Sequence, residues 1–228
     1  MRLTEKYRPR RLADIVGQPT HKLRWLVKSP AKSCWLLEGE PGTGKSATAH
    51  ALANELGTDM TTYTYTAGAL SKETIESLFT RWLRYVPPAP ARMNVLVIEE
   101  FERCVSADAR ADLKAALDRD VDSCDGGLPQ KAVVIATSND VTKIEPALLE
   151  RFNLVHFASG PEFASACQDR MAKIWQRECP DMDMPHGWLL WGWQGNLERF
   201  SMRVALRELE EYVGILESLR GEPVAACA

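Results

Sequence analysis

The sequence predicts an α/β fold, a parallel sheet covered on both faces by helices, followed by a smaller all-α domain. Three observations carry that expectation. Short apolar runs alternate with helix-periodic stretches up to about residue 158, the order that builds β-α-β units. Beyond that point the strand signal ends and long amphipathic helical stretches follow,. The 228 residues, 45% apolar and 26% charged, hold enough apolar material for one large domain and an appendage. The expected divisions are 1–158 for the α/β domain, 159–220 for the helical domain and 221–228 for a loose tail.

Each element follows from a local signal. "CWLLEG" (34–39) is a short apolar run ending at glycine, a buried strand,. "KSATAHALANELG" (45–57) is a helix closed by Gly57,. "MTTYTYTA" (60–67), rich in Thr and Tyr, is a strand,. "SKETIESLFTRWLRYV" (71–86) is a helix capped by Ser71 and stopped by "PPAPA" (87–91),. "NVLVIEE" (94–100) is the next strand, and "SADARADLKAALDRD" (106–120) a second Ser-capped helix. A loop, "DSCDGGLPQ" (122–130), leads to the strand "KAVVIATSN" (131–139), and "NLVHF" (153–157) is the last. "PEFASACQDRMAKIWQREC" and "LERFSMRVALRELEEYVGILESLR" are long amphipathic helices,. Between them "GWLLWGW" (187–193) is too short to span a membrane and reads as a buried aromatic plug,.

Composition narrows the function classes. The net charge of −3 argues against a wholly nucleic-acid-binding surface, although the first eleven residues carry five Arg or Lys against one Glu,. Six cysteines at 34, 104, 124, 167, 179 and 227 form no CxxC pair, which disfavours zinc and a disulfide framework. With no apolar leader at the N-terminus, the expectation is a reduced, cytoplasmic setting away from membranes.

The sharpest motif is "GEPGTGKS", Gly39 to Ser46, which matches G-x-x-x-x-G-K-[ST] at every fixed position,. Gly39, Glu40, Pro41, Gly42, Thr43 and Gly44 form a loop whose backbone N–H groups can wrap a phosphate chain,. Lys45 brings positive charge to the outer phosphates. The hydroxyl of Ser46 can ligate Mg²⁺, and the helix running through Ala47 adds its positive end. "VLVIEE" then ends a strand in two acids, as P-loop proteins use near the metal. Glu99 is expected to hold Mg²⁺ directly or through water, and Glu100 to polarise the attacking water. A third strand tip, Asn139, can place an amide beside the γ-phosphate.

With these three elements in order, the chain resembles an AAA+ ATPase, a P-loop three-layer fold with an all-α lid, most similar to the clamp-loader branch of replication factor C small subunits. "LTEKYRPRRLADIVGQ" (3–18) resembles that branch's adenine-cradling segment, which implies Tyr7, Arg8, Pro9, Val16 and Gly17 near the base. "KIEPALLERFNLVHF" (143–157) resembles the segment carrying the arginine finger, which falls on Arg151. "SADARADLKAALDRD" resembles the channel-lining helix, which implies DNA contact through Arg110, Lys114 and Arg119, among Asp108, Asp112, Asp118 and Asp120. "DRMAKIWQRE" and "GNLERFSMRVALREL" resemble the lid; the usual sensor arginine is Glu198, leaving Arg199 or Arg203 for that role.

Other departures are Glu99 where the branch has aspartate, Glu150 and Phe152 around the finger, and no counterpart to the third, collar domain in these residues. Ring contacts are therefore expected from the AAA+ part, a partner or DNA. The resemblance implies ATP and Mg²⁺ as cofactors and self-association into a ring or spiral, or a hetero-oligomer. The implied activity is ATP-driven remodelling or loading of a DNA-bound or protein partner. Two other readings stand beside it: an ATP-gated recruitment switch with slow or no hydrolysis, and a small P-loop kinase.

Overall fold

The structure, a computed structural model, describes residues 2–104, 107–118, 127–193 and 199–221. In chain order the elements are α1 (Leu3–Lys6), α2 (His21–Lys28), β1 (Ser33–Gly39), α3 (Lys45–Leu56), β2 (Thr62–Thr66), α4 (Lys72–Thr80), β3 (Asn94–Glu99), α5 (Ala107–Ala116), β4 (Ala132–Ser138), α6 (Pro146–Leu149), β5 (Asn153–Phe157), α7 (Pro161–Glu178) and α8 (Met202–Gly221), joined by 3₁₀ turns and loops. They divide into two units, Pro9–Ala158, and Met1–Arg8 together with Ser159–Ala228.

In the first unit the apolar runs pair into one parallel sheet in the order β2-β3-β4-β1-β5. Side chains alternate between its faces with period two. Cys34, Leu36, Leu96, Ile98, Ala132, Val134 and Ala136 pack on one side with Ile75, Leu78 and Phe79 of α4 and Ala109 and Leu113 of α5. Trp35, Leu37, Val95, Val97, Val133 and Ile135 pack on the other with Leu23 and Leu26 of α2 and Ala49, Leu52 and Leu56 of α3. Both faces are covered, so β1, β3 and β4 read as largely apolar runs,. Each fully buried Leu, Ile or Val contributes about 1.5–3 kcal/mol relative to exposure.

The α4 segment differs from its sequence expectation. Ser71 does cap it, accepting from Thr74 N at 3.2 Å, but the helix ends at Thr80 rather than continuing to 86. Trp82–Arg84 instead form a 3₁₀ turn. The buried amide of Asn94 donates to Leu83 O at 3.1 Å and Tyr85 O at 2.6 Å, and Arg84 Nε donates to Phe79 O at 2.8 Å. These bonds from outside the helical pattern satisfy carbonyls that a longer helix would have used.

In the second unit, α7 buries Phe163, Cys167, Met171, Ile174 and Trp175, and α8 buries Ala205, Leu209 and Val213. Burial pushes the Cys167 thiol up to about 12. The "GWLLWGW" stretch is not a buried plug throughout. Its tryptophans make ring contacts, Trp191 with Tyr212 and Trp193 with Phe200. Leu189 and Leu190, on a 3₁₀ turn, are 52% and 65% exposed. Helix α1 sits in this unit because Lys6 Nζ donates to Glu178 Oε1 at 2.6 Å, the Tyr7 hydroxyl donates to the same oxygen, and Leu3 N donates to Glu210 Oε1 at 3.3 Å. The Lys6 hydrogen bond, and after it that of Tyr7, holds the Glu178 carboxyl below its ordinary range. The sequence placed residues 2–8 with the α/β part; these partners on α7 and α8 lie far along the chain. Helix α8 begins at Met202, so Arg199 precedes it rather than lying on it. No described helix is long and apolar enough to cross a membrane.

Gly39 closes β1 at φ +143°, and a Cβ there would lie 2.2 Å from Phe157 O on β5. Gly39→Ala is expected to cost at least about 2 kcal/mol of stability. Urea denaturation would read this as a lower midpoint at unchanged slope; a midpoint equal to wild type would contradict the close β1–β5 approach.

Candidate nucleotide-phosphate site

In a parallel sheet all the carboxyl ends leave by one edge. After β1 the chain crosses to β2, and after β4 it goes the opposite way to β5, so the ends of β1 and β4 flank a topological switch point, where open α/β sheets hold ligands. Glu38 pairs with Ser138, so Gly39 and Asn139 leave the sheet at one level. Glu100 N donates to Thr137 Oγ1 at 3.4 Å, which brings the β3 exit beside them. The loop, the two acids and the amide that the sequence singled out therefore stand at one sheet edge.

The Gly39–Ser46 loop is held from within. Thr43, 1% exposed, donates through its hydroxyl to Glu40 O at 2.8 Å. Gly42 and Gly44 take positive φ angles of 86° and 96°, which glycine adopts without strain. Lys45, 6% exposed, donates through Nζ to Gly39 O and Glu40 O, each at 2.7 Å. Gly44 is the N-cap of the 12-residue α3 and supplies no side-chain cap to its first N–H groups. A buried ammonium, a loop with glycines at positive φ and a helix N-terminus without a capping side chain form a donor set that fits a phosphate chain. The structure adds a residue that the sequence did not single out. Gln18 Nε2 donates to Thr43 O at 3.2 Å and to Ala158 O at 2.9 Å, which ties the loop of Val16 and Gly17 to the phosphate loop.

Glu99 is the last residue of β3 and pairs with Thr66 of β2. Its Oε1 lies 3.3 Å from His50 Nε2 on α3. Ser46 and His50 are four apart and share a face of α3,, so Glu99 stands against the face that carries Ser46. A hydroxyl and a carboxylate are hard oxygen donors of the kind that Mg²⁺ takes. Glu100 follows at φ 55°, a left-handed conformation unusual outside glycine. Its Oε2 is 2.9 Å from Arg103 Nη1. Asn139 donates through Nδ2 at 3.0 Å and through its backbone N at 3.3 Å to Glu102 Oε1. Arg103 and Glu102 lie on the 3₁₀ turn after β3, and the apolar-then-acidic pattern gave no sign of them.

The remaining candidates fall elsewhere. Arg151 donates through Nε to Lys114 O at 2.7 Å and through Nη1 to Ala147 O, and its Nη2 lies 3.6 Å from Asp118. It binds a carbonyl in the last turn of α5, a favoured place for a cation. Lys114 pairs with Glu145 at 2.7 Å, which holds the Glu145 carboxyl below its ordinary range. Arg110 is half-buried on α5, and Arg119 lies outside the described residues. Tyr7 and Arg8 belong to the helical unit. So do Arg199 and Arg203, both exposed, while Glu198 lies outside the described residues.

Comparison with known proteins agrees with this geometry. The family described as "ATPase family associated with various cellular activities (AAA)" matches residues 35–159. A replication factor C small subunit of Methanocella arvoryzae is 32% identical over 127 residues, covering 53% of this chain and 39% of the relative. One from Archaeoglobus fulgidus is 28% identical over 180 residues, covering 76% and 53%. The chain thus spans about 39% and 53% of the length of these two relatives. Among solved structures, the RuvB Holliday junction branch migration motor of Thermotoga maritima superposes with a TM-score of 0.69 at 18% identity, over 96% of this chain and 69% of that one. A DNA polymerase III gamma subunit-related protein of the same organism gives 0.54 at 15%, over 89% and 62%. With the phosphate loop, acidic strand and polar-tipped strand all inside the matched segment, the chain belongs to the AAA family of ATPases and is related to replication factor C subunits.

Proposed function

We propose that the chain binds ATP with Mg²⁺ and hydrolyses it within an assembly that remodels or loads a DNA-bound or protein partner, in the manner of a clamp loader. One observation carries the reading: a buried lysine, two acids and an amide gather where three adjacent parallel strands end at one edge. Lys45 and the backbone of Gly39–Gly44 hold the phosphates, with Ser46 and Ala47 opening the helix behind them. Val16 and Gly17, tied to this loop through Gln18, flank the base. Tyr7, Arg8 and Arg199 enter the proposal through the family resemblance.

Ser46 and Glu99 hold the metal, which supplies charge neutralisation on the phosphate oxygens when bound. Glu100 is the base toward the attacking water, and Asn139 orients that water. Glu100 lies against Arg103 and Asn139 against Glu102, so in this proposal both exchange partners to act. Arg151 is proposed as the finger toward a neighbouring subunit's nucleotide, after release from Lys114 O and Ala147 O. DNA contact through α5 is carried by Arg110 more than by Lys114, which Glu145 holds, and Arg119 enters the proposal through the family resemblance. The partnered state of Glu100 and Asn139 favours, as the second reading, an ATP-gated switch with slow turnover.

Lys45→Ala is expected to weaken ATP binding at least about tenfold, measured by calorimetric titration. Glu100→Gln is expected to keep binding and lose turnover by about 10²- to 10⁴-fold; turnover equal to wild type in steady-state assays would remove Glu100 as the base. Specific activity is expected to rise with protein concentration and to fall by about 10³ in Arg151→Ala. A dilute monomer that hydrolyses at full rate, indifferent to Arg151→Ala, would overturn the assembly reading. Wild-type binding without turnover would select the switch.

A further inference from the structure

His50 has no part in the site read from the sequence, yet its ring reaches it. It lies in the middle of α3, and its Nε2 is 3.3 Å from Glu99 Oε1, with the two side chains 26% and 28% exposed. The backbone on both sides of this contact is fixed. Glu99 is paired in the sheet with Thr66, the next residue is anchored by Glu100 N to Thr137 Oγ1, and α3 is locked down by buried Ala49, Ala51, Leu52 and Ala53. What remains free is the glutamate side chain. Its three rotatable bonds allow the carboxylate to sweep over several ångströms, and ordering such a chain costs up to about 2 kcal/mol. A hydrogen bond from a short, stiff imidazole on a rigid helix removes much of that freedom. The same helix face presents Ser46 one turn earlier,.

We propose that His50 is a positioning residue for Glu99. Its Nε2–H donates to Oε1, fixes the carboxylate beside Ser46, and leaves Oε2 as the oxygen presented to a divalent cation. The partners of a metal-ligating group commonly set metal affinity in this way. The assignment rests on the reading of Glu99 as the metal-side carboxylate.

Two measurements test it, and they fail separately. The first uses the protein without nucleotide or metal. Long-range ¹H–¹⁵N correlation of the imidazole is expected to show the Nε2–H form, with its resonances moved by Glu99→Gln and not by Glu76→Gln on the distant α4. Resonances unmoved by Glu99→Gln would overturn the contact and the proposal with it. The second titrates Mg²⁺ into the protein bound to a non-hydrolysable ATP analogue. His50→Ala is expected to weaken Mg²⁺ by roughly tenfold while nucleotide binding in excess chelator stays as in wild type. His50→Gln, which keeps an N–H donor and suits a helix, is expected to recover most of the loss. Unchanged Mg²⁺ affinity in His50→Ala, or no recovery with Gln, would overturn the proposal alone. Wild-type nucleotide binding indifferent to Mg²⁺ would overturn the metal reading of Glu99, and the His50 assignment with it, even where the imidazole signals confirm the contact.

Discussion

The arrangement depends on β4 running parallel between β1 and β3. That single strand supplies hydrogen bonds to both neighbours and sets the level at which the three loops of the candidate site leave the sheet. All seven of its residues are buried, so polarity cannot select which face each side chain takes. Size does. Ala132 and Ala136 lie on the side crowded by Phe79, Phe101 and Phe152, whereas Val133 and Ile135 face the alanines of α3. A slip of one residue would exchange small for large on both faces at once, creating voids on one side and overlap on the other.

Much of this was legible in the sequence because it is written in local patterns. The strands appear as apolar runs, α3 as a phosphate motif leading into an alanine-rich helix, and Ser71 as a cap. The illegible parts are those decided by residues far along the chain. The early end of α4 depends on Asn94 reaching back to Leu83 and Tyr85. The position of residues 2–8 depends on Glu178 and Glu210. In the candidate site, the motif residues were legible, but His50, Glu102, Arg103 and Gln18 were not. His50, Glu102 and Gln18 acquire their places only when two separate loops or elements meet. Arg103 acquires its own from the turn that brings it back to Glu100, and a lone histidine in a helical stretch carries no periodic signal.

The charged groups of the site and its surroundings are matched locally. Glu100 meets Arg103, Asn139 meets Glu102, Lys114 meets Glu145, and Arg151 meets two carbonyls and Asp118. Exposed ion pairs such as Glu100–Arg103 and Lys114–Glu145 contribute little to stability,, so trading one for another requires little energy. Arg151 is the exception in kind, because its guanidinium bonds to two backbone carbonyls, which makes it part of the frame of α5 and α6 as well as a candidate for chemistry.

Glu100 stands at φ 55°, where glycine would rest without strain and a side chain does not. The chain keeps a carboxylate at the one turn where its backbone would favour having no side chain at all. Under the role proposed for Glu100, conformational ease and reactivity select opposite residues at a single position. Substitutions that relax this turn would then also remove the proposed base, so selection for sturdiness alone would act against it.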